Sequence, residues 1–116
     1  MKEEYEIKNA VIKGFHFDLD HGLSAYLSLD YGGSGQGFGG YLLYSEKSWK
    51  NSANYCGHFV YKVLTVAGVE DIAQLKGKAI RVAIENGLAV GIGHIIEDKW
   101  FFPKKDFADA VPKEGK

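Results

Sequence analysis

Between residues 32 and 40 the chain reads GGSGQGFGG, glycine at six of nine positions, bracketed by LSAYLSLDY and YLLY. No α-helix crosses such a stretch, since each glycine in a helix interior costs about 1 kcal/mol relative to alanine. Both flanks carry strand patterning instead. Leu23, Ala25, Leu27 and Leu29 fall on one face and Ser24, Tyr26, Ser28 and Asp30 on the other, the period of two of a half-buried strand. Phe38 to Tyr44 reads as the next strand. Upstream, residues 5–19 are β-rich, and Phe15, Phe17 and Leu19 alternate with His16 and Asp18 to give one apolar face. Asp20-His21-Gly22 reads as the intervening turn.

The pattern then changes period. Cys56, Phe59, Val60, Val63, Leu64 and Ala67 recur at helical spacing, predicting an amphipathic helix over about 53–67. Asn51 or Ser52 is a candidate N-cap and Gly68 stands where a C′ glycine ends a helix. VEDIAQLKG suggests one short helical turn. Ile80, Val82 and Ile84 alternate with Arg81 and Glu85, and Asn86-Gly87 is a strong hairpin signal because both central positions of a type I′ turn take positive φ. A partner strand follows from Leu88 to about Ile96, with KWFFP as a candidate sixth strand.

The order β-β-β-α-β-β predicts a single α+β domain over 1–103, a strongly bent antiparallel sheet or partly open small barrel carrying one helix. Residues 104–116 read as a polar tail. The element order also matches the OB-fold, which places a helix between strands three and four, so an OB-like barrel is the alternative.

Composition narrows the partners. The chain has 116 residues and a formal charge of −1, and Arg81 is its one arginine. Duplex DNA binders draw on arginine and net positive charge, so duplex DNA is disfavoured. Cys56 is the one cysteine, which rules out an internal disulfide and a cysteine-based zinc site. MKEEYEIKNAV carries acidic residues and no apolar core of a signal peptide, and no apolar run approaches the roughly 20 residues of a membrane helix. A cytoplasmic protein without membrane contact is the expectation.

Gly35, Gly37 and Gly40 spell G-x-G-x-x-G, but the dinucleotide fingerprint must open a helix and here a strand follows. No Lys-Ser/Thr completes a phosphate-binding P-loop, no kinase motif is present, and G-G-S-G is not a nucleophile elbow. The glycine stretch therefore predicts either sharp backbone geometry or a contact surface with exposed amides for an anion. The candidate ligand or partner residues are Tyr31, Gly32, Gly33, Ser34, Gly35, Gln36, Gly37, Phe38, Gly39, Gly40 and Tyr41, which offer stacking and hydrogen bonds but no general base. His16, His21, His58 and His94 form no metal-ligating pair, so no metal, cofactor or catalytic residue is expected. His58 is expected to face solvent and His94 to sit on a strand. Cys56 reads as a small buried hydrophobe and Trp100-Phe101-Phe102 as core closure, or a partner contact if exposed. Three convergent polar side chains in one cleft would point instead to an enzyme.

The stretches LDYGGSGQGFGGYLL, GHFVYKVLTVAGVEDIAQLKGKAIRV and IGHIIEDKWF resemble a group of small uncharacterised proteins encoded by bacteriophages and prophages. The likeness runs over roughly residues 10 to 102 and brings no catalytic residues. It implies a small phage-type accessory protein in a bacterial cytoplasm, of the kind that counters host defence. Two forms follow: sequestration of a small nucleotide-like ligand at the glycine segment, or blocking of a bacterial host protein. Short edge strands and the aromatic end also allow a homodimer.

Overall fold

A computed structural model describes residues 5–19, 22–32, 35–45 and 55–110. The strands are β1 (Glu6–Leu19), β2 (Leu23–Asp30), β3 (Gly35–Tyr44), β4 (Ala79–Glu85), β5 (Leu88–Gly93) and β6 (Trp100–Phe101); the helices are α1 (Tyr55–Ala67) and α2 (Pro103–Ala110). One six-stranded sheet has the order β3-β2-β1-β4-β5-β6, and its ladders are antiparallel. The fold is α+β, as the sequence predicts, with the sixth strand in place.

β1 is the spine. Its first part pairs with β4 from Glu6 to Val11 and its second with β2 from Val11 to Leu19. A bulge between Ile12 and Gly14 marks the change of partner, and bulges bend the strand that carries them. The sheet bends until β3 lies against β5, yet no ladder joins those strands. The sheet is not closed, so the OB-like alternative is met in element order and bend but not in closure.

The core fills the concave side. Ala25, Leu27 and Leu29 of β2 and Ile80, Val82 and Ile84 of β4 are buried as their alternation predicts. α1 packs against β3, β4, β5 and β6 and buries Phe59, Val63, Val66 and Ala67. Of the predicted stripe, Cys56, Val60 and Leu64 are half-buried at its margin. Gly68 has φ 78°; its N–H reaches the Thr65 carbonyl at 3.2 Å and that of Val69 reaches Leu64 at 3.1 Å, the paired bonds of a Schellman ending. Asn86 and Gly87 take φ 54° and 78°, which fits the type I′ turn. VEDIAQLKG supplies a 3₁₀ turn, Ile72–Gln74, closed by a capping box from Asp71. The proposed N-cap, Asn51 or Ser52, and Asp20-His21 lie outside the described residues.

Two expectations change. Residues 104–110 are not tail but most of α2, whose Phe107 packs on the core. Helical spacing was hidden there because a two-turn helix offers few apolar positions. Phe17 and Leu19 share the core-facing side of β1, but they are 47% and 83% exposed. The strands that α1 packs against are β3, β4, β5 and β6, so pattern alone does not bury this end of the hairpin.

Gly39 and Gly40 set the course of β3. Tyr26 faces Gly39 while Ala25 faces Tyr41, so Gly40 is the extra residue of a bulge. The insertion switches parity and lets both Phe38 and Leu43 face the core. Gly39 has φ 111°, and a Cβ there would lie 2.8 Å from the Ala25 carbonyl oxygen and 2.9 Å from Phe59 Cζ; Gly40 has φ 84° with open space around it. Gly39→Ala is expected to cost about 2–4 kcal/mol, backbone strain plus overpacking, and Gly40→Ala about 1–2 kcal/mol from strain alone. Urea unfolding of the two variants checks the order, and equal losses would refute the close-approach account.

Candidate functional site

The glycine stretch is mostly strand. Tyr31 and Gly32 (φ 85°) make the bend after β2, Gly33 and Ser34 lie outside the described residues, and Gly35 to Gly40 belong to β3. The candidate residues therefore separate. Phe38 is fully buried against Phe59 and Phe101 and has no surface to offer a ligand. Tyr31 is buried too, with the Lys8 ammonium 5.7 Å from its ring centre; burial, then the nearby Glu6 charge, pushes its phenol above the usual value. Gly32, Gly39 and Gly40 serve backbone geometry. The side chain of Tyr41 is outside the description. Gly35 pairs with Asp30 at the start of β3, and Gln36 and Gly37 border an open hollow.

That hollow, about 440 Å³, lies on the convex face of β1, β2 and β3 and is lined by Lys13, Tyr26, Ser28, Asp30, Gln36 and Gly37 among others. Lys13 is the extra residue of the β1 bulge, and bulges re-aim side chains. Ser28 sits between Gly14 and Gly37, and Tyr26 between His16 and Gly39. The His16 ring stacks on Tyr26 with centroids 4.7 Å apart and an interplanar angle of 23°. Its Nε2 lies 2.7 Å from Ser28 Oγ. Gly14 makes that arrangement fit, because a Cβ there would come within 3.0 Å of His16 Nε2. A second hollow of about 360 Å³ adjoins the first at Asp30 and is bordered by Asn9, Val11, Tyr31, Gly32 and Ala79 among others.

The outward glycines of the two half-sheets differ in cover. Under the β5–β6 half, a Cβ on Gly93 would strike the Trp100 ring at 2.6 Å and one on Gly91 the Phe102 ring at 2.4 Å. The protein's own rings lie flat on those glycines. On Gly37 the nearest atoms to such a Cβ are the Leu27 carbonyl oxygen at 3.9 Å and Tyr26 Cδ2 at 4.0 Å. Gly37 thus presents a ring-sized flat floor, edged by a tyrosine and opening into the hollow.

Polar groups converge here, so an enzymatic reading has to be weighed. The Ser28–His16 pair has the spacing of a nucleophile and base. β2 has a strand on each side, so its amides are used in ladders. The hollow offers side chains suited to holding a ligand.

The remaining marked residues do structural work. His58 is exposed, as expected, and its Nε2 lies 2.7 Å from Asp106 Oδ2, tying α1 to α2. His94 caps a turn, its Nδ1 accepting from the N–H groups of Ile96 and Glu97 at 3.1 and 2.9 Å. Arg81 donates to the carbonyls of His94 and Glu97 at 2.8 and 2.9 Å and lies 4.9 Å from the Trp100 ring centre. A hydrogen bond from Lys99, then the charges of Lys99 and His94, lower the Glu97 carboxyl below its usual value. Phe101 closes the core, whereas Trp100 and Phe102 are half-buried on the outer face. His21 is outside the described residues. Among those described, no three His, Cys, Asp or Glu side chains cluster as metal ligands, and no helix is long and apolar enough to cross a membrane.

No family model, curated protein or solved structure matches the chain.

Sequence reasoning placed Tyr26, Ser28 and Asp30 on one polar face but gave them no role, and it missed Lys13, His16 and Gly14. The missing signal is the β1 bulge, a one-residue offset without a sequence mark. Gly14→Val is expected to push the His16 ring off Ser28 while changing stability by less than about 1 kcal/mol, the strand preference of valine offsetting crowding. Imidazole nitrogen shifts of His16 report the change; an unmoved signal would contradict the packing.

Proposed function

We propose that the protein is a non-enzymatic, phage-type binding protein that sequesters a small phosphate-bearing, nucleotide-like ligand in the hollow over β1, β2 and β3, and so opposes a host defence signal in the bacterial cytoplasm. One observation carries the ligand class: Gly37 is a flat floor beside Tyr26, while Gly91 and Gly93 are covered by the protein's own aromatic rings. A planar heterocycle on Gly37 would repeat the packing of Trp100 on Gly93. Ser28 supplies a hydrogen-bonding hydroxyl and Lys13 a cation for phosphate. The phage-type setting rests on the sequence resemblance.

A second reading is supported by a different surface. Phe17, Leu19 and Tyr44 are exposed around the end of the β1–β2–β3 meander, and apolar residues gathered on a surface mark protein contacts. In that reading the protein blocks a host protein, and Leu19→Ser abolishes the inhibition while leaving small-ligand binding intact.

Thermal unfolding with millimolar cyclic and linear nucleotides tests the first reading. A ligand at ten times its Kd adds about 1.4 kcal/mol, a shift of roughly 5 °C for a domain of this size. Tyr26→Ala is expected to weaken binding about 3- to 10-fold, the loss of the ring edge that borders the Gly37 floor, since the Tyr26 face is stacked on His16. A flat response across the panel sinks the proposal.

A further inference from the structure

The Ser28 hydroxyl can point two ways, and His16 decides between them, on the premise that the hollow holds the phosphate-bearing ligand proposed above. His16 Nε2 lies 2.7 Å from Ser28 Oγ, and Ser28 lines the hollow. In a neutral imidazole one ring nitrogen donates and the other accepts, whereas in the imidazolium both donate. Neutral His16 is therefore divided between two tautomers. The one that accepts at Nε2 takes the Ser28 proton and leaves the hydroxyl only lone pairs for a ligand. Protonated His16 donates to Ser28 Oγ, so the hydroxyl proton turns away from the ring and is free to donate. A phosphate oxygen only accepts, and it carries negative charge. It pairs with the second arrangement and is repelled by the first.

The surroundings hold the ring where this matters. Its face lies on Tyr26 with ring centroids 4.7 Å apart, and a cation over a tyrosine face is attracted by it. Gly14 leaves the space the ring occupies, since a Cβ there would come within 3.0 Å of His16 Nε2. Among the described residues, the charged and titratable groups that flank the ring are Lys13 and Asp18 on its own strand and Tyr26 and Asp30 on β2. Beyond them, β3 sets Gly37 and Gly39 opposite Ser28 and Tyr26. Lysine, tyrosine and aspartate side chains ordinarily keep one form between about pH 5 and 8, and histidine is the type that changes.

We infer that His16 couples ligand binding to proton uptake: the ligand's phosphate meets the Ser28 hydroxyl and Lys13, while His16 takes a proton from the solvent and donates to Ser28. His16 acts through Ser28 and is a positioning residue. The bound anion favours the charged ring, so binding is tightest at the acid end and weakens as pH rises through the range in which imidazole loses its proton.

Isothermal titration of the full chain with the 3′,5′-cyclic monophosphates of adenosine, guanosine, cytidine and uridine, at about pH 5.5 and about pH 8, tests this. Their phosphodiester keeps a single charge over that range, whereas a monoester titrates within it. Nucleotides that bind are expected to bind about three- to tenfold tighter at the lower pH, the worth of one hydrogen bond to an anion at an exposed site. His16→Gln keeps a donor beside Ser28 without the titration and should remove the pH dependence. Ser28→Ala should shrink it, and His21→Gln should leave it in place. Midway between the two pH values, the binding heat should vary with the ionisation enthalpy of the buffer in the sense of proton uptake. That readout uses the unaltered chain and stands if a variant fails to fold. Equal binding at both pH values, or a pH dependence that survives His16→Gln or is unchanged in Ser28→Ala, overturns this inference and leaves the nucleotide reading standing. Absence of binding by all four at millimolar concentration overturns the inference, and a flat response across the wider nucleotide panel overturns the nucleotide reading with it.

Discussion

The Phe59 ring is the contact on which the two layers depend. It stands 6.0 Å from Phe38, 5.6 Å from Phe101 and 6.3 Å from Phe15 between ring centres, so one helix residue joins three strands. It gets that close only because position 39 has no side chain. The glycine also permits a φ of 111°, which starts the bulge that turns the rest of β3. Packing and backbone geometry thus make the same demand at one position. Fully burying such an aromatic contributes about 1.5–3 kcal/mol, and moving the ring would loosen the helix from the sheet.

The same strand geometry builds the outer surface. Bulges in β1 and β3 flank the β2 residues Tyr26 and Ser28. One aims Lys13 at the hollow, and the other turns β3 just beyond Gly37. The core and the candidate site are therefore two faces of one bent three-stranded piece. Strands fixed on their inner side by Leu27, Leu29 and Phe38 hold the outer side chains in register, because successive residues alternate faces. Such a site is rigid by construction, which favours holding a ligand over reshaping around one.

Much of this was legible in the sequence where one period ran unbroken. The Leu23–Asp30 alternation, the stripe of α1, the Gly68 ending and Asn86-Gly87 each depend on local preferences that the fold leaves alone. Legibility failed where a single residue broke the count. Lys13 and Gly40 each shift a strand by one position, and a strand glycine such as Gly14 or Gly40 hints at a bulge without saying where the register slips. It also failed where neighbours far along the chain decide. His58 meets Asp106 across 48 positions, and Arg81 finds its acceptors 13 and 16 residues on. Exposure of Phe17 and Leu19 depends on which strands α1 packs against, which the pattern of β1 does not contain.

The glycines then sort by what covers them. Gly91 and Gly93 leave room for rings that arrive later in the chain, Trp100 and Phe102, and those rings stack in turn at 6.0 Å. Phe102 continues onto Tyr5 at 5.1 Å, so this half of the convex face is closed by a run of aromatic surfaces. Gly14 leaves room for the His16 ring in the same way. A strand glycine weakens pairing and gives no side chain to pack, and a covering ring recovers the lost contact. Gly37 carries that cost without a ring of any described residue upon it, on a strand that already has two glycines fixed by geometry. Its lack of a side chain is accounted for by neither φ nor crowding. Close approach by something flat is a physical use for a bare backbone there, and it is the reason the proposed ligand is put in the hollow rather than at the bend at Gly32.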